Sequence, residues 1–170
     1  MLCWIEVDLD AIGDNVRALQ AAAQPRWGVT AVVKAQAYGM GAAAVAQAAV
    51  EAGARGAAVA RVSEARRLRQ AGFSHPILLL GGLDAEDYAD VVSMRVTPTL
   101  TDWSTAEDVA AAARALGERA PVQVKVDTGI TRYGAPPDEA MAIVRNLPRL
   151  ESLELEGFYT HFAAADDPDP

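Results

Sequence analysis

The chain has 170 residues, of which 51% are hydrophobic, 22% charged and only 6% aromatic, with a net charge of −8 and a pI near 4.7. That is a globular, alanine-rich composition of one domain's length, and its acidity argues against a nucleic-acid partner, which needs a basic face. Cys3 is the single cysteine, so no intrachain disulfide forms. The start lacks the basic-then-apolar pattern of a signal peptide, and no apolar run approaches the roughly 20 residues that span a bilayer. The expectation is a soluble cytoplasmic protein with no membrane partner.

Trp4 to Leu9 alternates apolar and polar residues, which predicts a half-buried strand, and Asp10 is placed to cap a helix over 11–22. Ile12, Val16 and Leu19 form that helix's apolar stripe, and Pro25 follows its end. An apolar strand over 29–33 delivers Lys34, and a small-residue helix runs from about Gly41 to Ala52, with Gly53 to end it. A short strand over 57–60 precedes a helix capped by Ser63 and running over 64–70. Ile77 to Leu80 is a continuous apolar strand after His75-Pro76, and a short helix is expected near 85–90. A strand near 96–100 is followed by a capping box, Ser104 to Glu107, opening a helix that reaches Leu116. Pro121 precedes the strand 122–127, Pro136-Pro137 start a helix through Asn146, and the last strand covers about 155–160. The tail from Ala163 to Pro170 reads as a loop.

After the opening strand, strands and helices alternate about six times. This predicts an α/β fold with a parallel sheet, either doubly wound or a (β/α)8 TIM-type barrel of which about six of eight units are present. No G-x-G-x-x-G follows the first strand, which weakens a dinucleotide-binding reading. Lys34, Tyr38, Arg61, Asp127, Arg132 and His161 all fall at the C-terminal ends of strands, where barrel active sites are built.

The chain contains two lysines against thirteen arginines, and both lysines stand at or beside the end of an apolar run. Desolvation there makes an amine nucleophilic, as an imine with a carbonyl requires, although a salt-bridged lysine at a strand end would look the same. Tyr38 lies four residues after Lys34, within reach of a phosphate or carboxylate, and Gly39 and Gly41 allow close backbone approach. Lys125 and Asp127 share one face of their strand, and Arg132 follows in a glycine-bounded loop; a structural Arg–Asp pair is the plain alternative. His161 is either a hydrogen-bonded structural histidine or a ring that stacks on an aromatic cofactor, and His75 is read as structural. The acidic tail lacks the spaced oxygens of a calcium loop, so no metal is expected.

Three segments together resemble the N-terminal half of alanine racemase, a pyridoxal-phosphate enzyme of fold type III. Val32-Val33-Lys34-Ala35-Gln36-Ala37-Tyr38-Gly39-Met40-Gly41 matches the family's lysine signature except that Met40 replaces a histidine, and Gln36 stands where asparagine is frequent. Lys125 to Gly134 matches its Lys-x-Asp-Thr-Gly-Met-x-Arg-x-Gly segment with Ile130 for methionine, and Gly157, Thr160, His161, Phe162 and Ala163 match its Gly-x-x-Thr-His-Phe-Ala. Trp4 to Leu9 is similar to the family's opening segment.

The resemblance implies interconversion of L- and D-alanine by a two-base mechanism, supplying D-alanine for peptidoglycan, with pyridoxal 5'-phosphate held on Lys34 as an aldimine. It implies that Tyr38 contacts the phosphate and that Lys125 is a lysine open to carbamylation whose charge positions Arg132. Arg132 then binds the substrate carboxylate or the cofactor's phenolic oxygen, and His161 packs against the pyridine ring. The family is homodimeric, and its second base, a tyrosine, comes from the partner subunit's C-terminal region. Residues 1–170 are thus expected to be the N-terminal part of the barrel, without its closing strands or the C-terminal β domain, and inactive alone. A racemase for serine or lysine, or a non-catalytic pyridoxal-phosphate-binding barrel, are the alternatives.

Overall fold

The protein is described by a computed structural model that covers residues 3–23 and 27–167. Pro25 and the last residues of the acidic tail lie outside the described residues. Contacts within the chain group into two compact units, Met1–Leu80 and Gly81–Pro170.

In the first unit the expected opening strand does not form. Residues 3–8 are irregular, with Trp4 and Ile5 about four-fifths exposed, and the helix α1 (Leu9–Ala22) starts earlier than expected. Its cap is Asp8, whose carboxylate accepts the Ala11 N–H at 3.0 Å, rather than Asp10. Alternation marks a strand only where a neighbouring strand supplies hydrogen bonds, and none pairs with this segment among the described residues.

The strands β1 (Thr30–Val32), β2 (Gly56–Val59) and β3 (Ile77–Leu79) are parallel, with Ala31 opposite Ala57 and Ala58 opposite Leu78. One left-handed turn, α2 (Lys34–Tyr38), and the helix α3 (Ala42–Glu51) connect β1 to β2; α4 (Val62–Gln70) connects β2 to β3. Val33, Val59, Leu68, Ile77 and Leu79 are essentially inaccessible, and the alanines 46, 49 and 65 let α3 and α4 lie close on the sheet. Val16 of α1 packs with Ala49 and Ala54, whereas Leu19 of the expected stripe is exposed. His75 is partly buried with its ring against Phe73, and its carbonyl accepts from Arg69, in keeping with a structural role.

The second unit repeats the pattern. Its strands β4 (Thr97–Leu100), β5 (Ala120–Val126) and β6 (Leu153–Thr160) are parallel, with Leu100 opposite Val124 and Lys125 opposite Tyr159. The helix α5 (Tyr88–Ser93) begins later than expected because a turn at Asp84–Asp87 precedes it. The helix α6 (Trp103–Leu116) is capped by Asp102, which accepts the Thr105 N–H at 2.8 Å, and not by Ser104. The helix α7 (Pro137–Asn146) runs into a 3-10 turn, Leu147–Arg149, before β6. Val91, Leu100, Val109, Val122 and Val124 make the buried core.

Gly56 opens β2 under the Pro76 carbonyl, where an added Cβ would collide with the carbonyl oxygen that accepts the Ala57 N–H. Backbone on both sides cannot yield as a flexible side chain does. Gly56→Ala is expected to destabilise the chain by about 1–3 kcal/mol in urea unfolding, the usual cost of overpacking.

Candidate functional site

Lys34 stands one residue past the end of β1, where Val33 is anchored to β2 through its N–H to the Ala58 carbonyl at 2.8 Å. The chain then does something ordinary L-residues avoid. Ala35, Gln36, Ala37 and Tyr38 all have φ between 51° and 58°, a complete turn in the left-handed region. Each such residue costs roughly 1–2 kcal/mol, so other bonds must hold the turn.

Those bonds are visible. The Ala37 N–H donates to the Val33 carbonyl at 2.9 Å, and Gly39 and Gly41 donate back to Gln36. Gly39, at φ 95°, closes the turn in a conformation glycine tolerates, with open space where a Cβ would stand. The Gln36 amide oxygen accepts the Ala42 N–H at 3.4 Å at the start of α3, so this departure from asparagine keeps a capping role. Finally, Glu64 of α4 accepts the Ala35 N–H on Oε1 at 2.7 Å, while its Oε2 accepts the Ala60 and Arg61 N–H groups at 2.8 and 3.1 Å. Helix α4 therefore begins at Val62 with Glu64 reaching back, and Ser63 is not its cap.

The left-handed turn leaves Lys34 half-buried and Tyr38 63% exposed. No carboxylate among the described residues of its own unit pairs with the Lys34 amine. Met40 is exposed beside the turn.

In the second unit Lys125 is only 6% exposed near the end of β5. Its Nζ lies 5.6 Å from the centroid of the Tyr133 ring and 5.8 Å from that of Tyr159. Two aromatic faces compensate part of the cost of burying an ammonium, each by about 0.5–2 kcal/mol. Burial pushes both phenols above their ordinary pKa, so they remain protonated and neutral around Lys125. The Tyr159 hydroxyl shares a 2.7 Å hydrogen bond with Thr99, and Tyr133 bonds Thr101. Neither tyrosine was expected at the site from the sequence. The signal for Tyr159 was its place on the same strand two residues before His161, and for Tyr133 its place next to Arg132.

Asp127 and Arg132 are not an ion pair among the described residues. Asp127 Oδ1 instead accepts the N–H groups of Gly129 and Thr131 at 2.9 and 3.1 Å, and these bonds, with the nearby Lys125 charge, hold its carboxyl below the usual range. Ala135 closes the loop by exchanging backbone hydrogen bonds with Asp127 and Lys125. Arg132 rides exposed on this tied loop. Thr160 Oγ1 donates to the Val126 carbonyl at 2.8 Å and lies 2.7 Å from Thr128 Oγ1, joining the ends of β5 and β6 just before the exposed His161. Among the described residues no cluster of three or more His, Cys, Asp or Glu could hold a metal ion.

A family model described as "Alanine racemase, N-terminal domain" matches residues 7–170. The alanine racemase of Desulforamulus reducens is 45% identical over 167 residues, covering 98% of this chain and 45% of that protein. That of Methanococcus maripaludis is 39% identical over 167 residues, again covering 98% of this chain and 45% of the relative. Among solved structures, the alanine racemase from D-cycloserine-producing Streptomyces lavendulae superposes with a TM-score of 0.89 at 36% identity, over 96% of this chain and 44% of that one. The alanine racemase of Clostridium difficile 630 in complex with cycloserine gives 0.86 at 38% identity, over 94% and 43%. The chain thus spans a little under half the length of the proteins it matches. The α/β fold with parallel strands expected from the sequence is the fold of these structures.

The Asp127 loop has a definite pH response. Its folded pKa is depressed, so the stabilisation is present above the unfolded value of about 3.9 and is lost as pH falls through the folded value. Amide protection at Gly129 and Thr131 should therefore hold at neutral pH and fall away below about pH 3.9. Asp127→Asn keeps the oxygen acceptor and should flatten this dependence, whereas Asp127→Ala should abolish protection throughout, as hydrogen exchange measures.

Proposed function

Because the chain belongs to the alanine racemase N-terminal domain family, we propose that it forms the cofactor-bearing part of an amino-acid racemase that interconverts L- and D-alanine with pyridoxal 5'-phosphate. Residues 1–170 are the N-terminal part of the barrel in this reading. The closing strands, a C-terminal β domain and the second acid/base group belong to the further length that the relatives carry. The full-length protein is proposed to be a cytoplasmic homodimer that supplies D-alanine for peptidoglycan; among the described residues no helix is long and apolar enough to cross a membrane.

The observation that carries the reading is Lys34: an amine at the end of a parallel strand, half-buried and engaged by no carboxylate of its own unit. A primary amine at that place is the group that forms an imine with a carbonyl. The residues fit the cofactor in kind. A primary amine suits its aldehyde, the exposed phenol of Tyr38 and the open space at Gly39 suit a phosphate, and the exposed imidazole of His161 suits a flat ring.

When bound, pyridoxal phosphate supplies a conjugated ring that spreads the charge left when the α-proton departs. The chain's own residues do the rest. Lys34 attaches the cofactor and moves a proton on one face of the substrate α-carbon. Tyr38 binds phosphate. Arg132 binds the substrate carboxylate or the cofactor's phenolic oxygen and is oriented by its tied loop, with carbamylated Lys125 supplying the negative charge that positions it. His161 packs on the ring.

Adding pyridoxal phosphate to the chain should produce the visible absorbance band of a lysine-attached cofactor, and Lys34→Ala should remove it. In the full-length protein the same substitution should lower alanine racemisation by at least about 100-fold. A band that survives Lys34→Ala, or no band in the unaltered protein, would sink the reading.

A further inference from the structure

We propose that Glu64 is the positioning residue for Lys34, setting the left-handed turn on which the lysine sits; this rests on the assignment of Lys34 as the cofactor-bearing amine. Its carboxylate is split between two segments. Oε1 takes the N–H of Ala35, the residue directly after Lys34, and Oε2 takes the N–H groups of Ala60 and Arg61 at the end of β2. One side chain thereby ties the backbone following the end of β1 to that following β2.

A helix-capping role alone accounts for the bonds to Ala60 and Arg61, which lie within four residues of Glu64. It does not account for the 2.7 Å bond to Ala35, 29 residues away in sequence. That bond falls where four consecutive side-chain-bearing residues hold a strained backbone. Of the four, the Ala35 N–H points away from the turn's own carbonyls to Glu64, and the Ala37 N–H already returns to Val33. Without a carboxylate at position 64 the first strained residue loses its side-chain acceptor, and the right-handed alternative, which would aim Lys34 differently, gains on the observed turn.

Glutamine at 64 separates the two roles. Its single amide oxygen still serves Ala60 and Arg61, but its NH2 then faces the Ala35 N–H, donor against donor. In the cofactor-free chain, Glu64→Gln should speed hydrogen exchange across residues 35–38 by roughly tenfold or more while leaving α4 protected. It should also weaken pyridoxal phosphate attachment, read from the visible band, by roughly tenfold. Unchanged exchange at 35–38, loss of protection in α4 to the same degree, or a loosened turn with unaltered attachment each overturns the proposal. If circular dichroism shows Glu64→Gln unfolded, Glu64→Asp is read by the same criteria, since its shorter side chain cannot bridge both segments. Should the unaltered chain give no Lys34-dependent band, it is the cofactor assignment that fails, and the exchange comparison still decides whether Glu64 holds the turn.

Discussion

Four residues in a row with positive φ, none of them glycine, are the local constraint around which the Lys34 region is built. Such a turn is not a property of the segment Ala35-Gln36-Ala37-Tyr38, whose alanines and glutamine are good right-handed helix formers. It exists because β1 delivers Val33 into a buried, hydrogen-bonded position, because Gly39 accepts the exit geometry, and because a carboxylate from α4 captures the first N–H of the turn. The result is an abrupt change of chain direction directly after the lysine, with the amine left outside any ion pair of its unit.

The two lysines are handled by opposite means. Lys34 is half-buried and meets no carboxylate among the described residues of its own unit. Lys125 is nearly inaccessible and is flanked by two phenol rings whose burial keeps them neutral. A group so enclosed does not serve as a diffusing acid or base. The part proposed for it beside the Arg132 loop is that of its carbamylated form, which carries the opposite charge. That loop is held by Asp127, whose bonds to Gly129 and Thr131 spend the carboxylate on backbone geometry and leave Arg132 unpaired with it.

Much of this was legible along the chain. The segments read as strands at 29–33, 57–60, 77–80, 96–100, 122–127 and 155–160 marked all six parallel strands within two residues at either end, because most of these strands are buried and carry apolar side chains. The positions of Lys34, Asp127, Arg132 and His161 at strand ends followed directly from those boundaries. Misplaced helix starts had a common cause. Asp10, Ser63 and Ser104 are each competent caps by type, yet Asp8, Arg61 and Asp102 occupy the cap positions, since a helix starts where the preceding strand or turn releases the backbone. The strand expected at Trp4–Leu9 failed for a related reason: amphipathic alternation is necessary for a half-buried strand, but a hydrogen-bonding neighbour is also required.

The sequence by itself determined the family, the alternation of parallel strands with helices, and which amine, guanidinium and imidazole stand at strand ends, because these depend on local pattern and residue chemistry. Only the tertiary structure decided the hand of the turn after Lys34, the reach of Glu64 across 29 residues, and the placement of Tyr133 and Tyr159 around Lys125. Those features arise from side chains far apart in the chain meeting a backbone whose local preference points the other way, and no local pattern encodes the outcome of that contest.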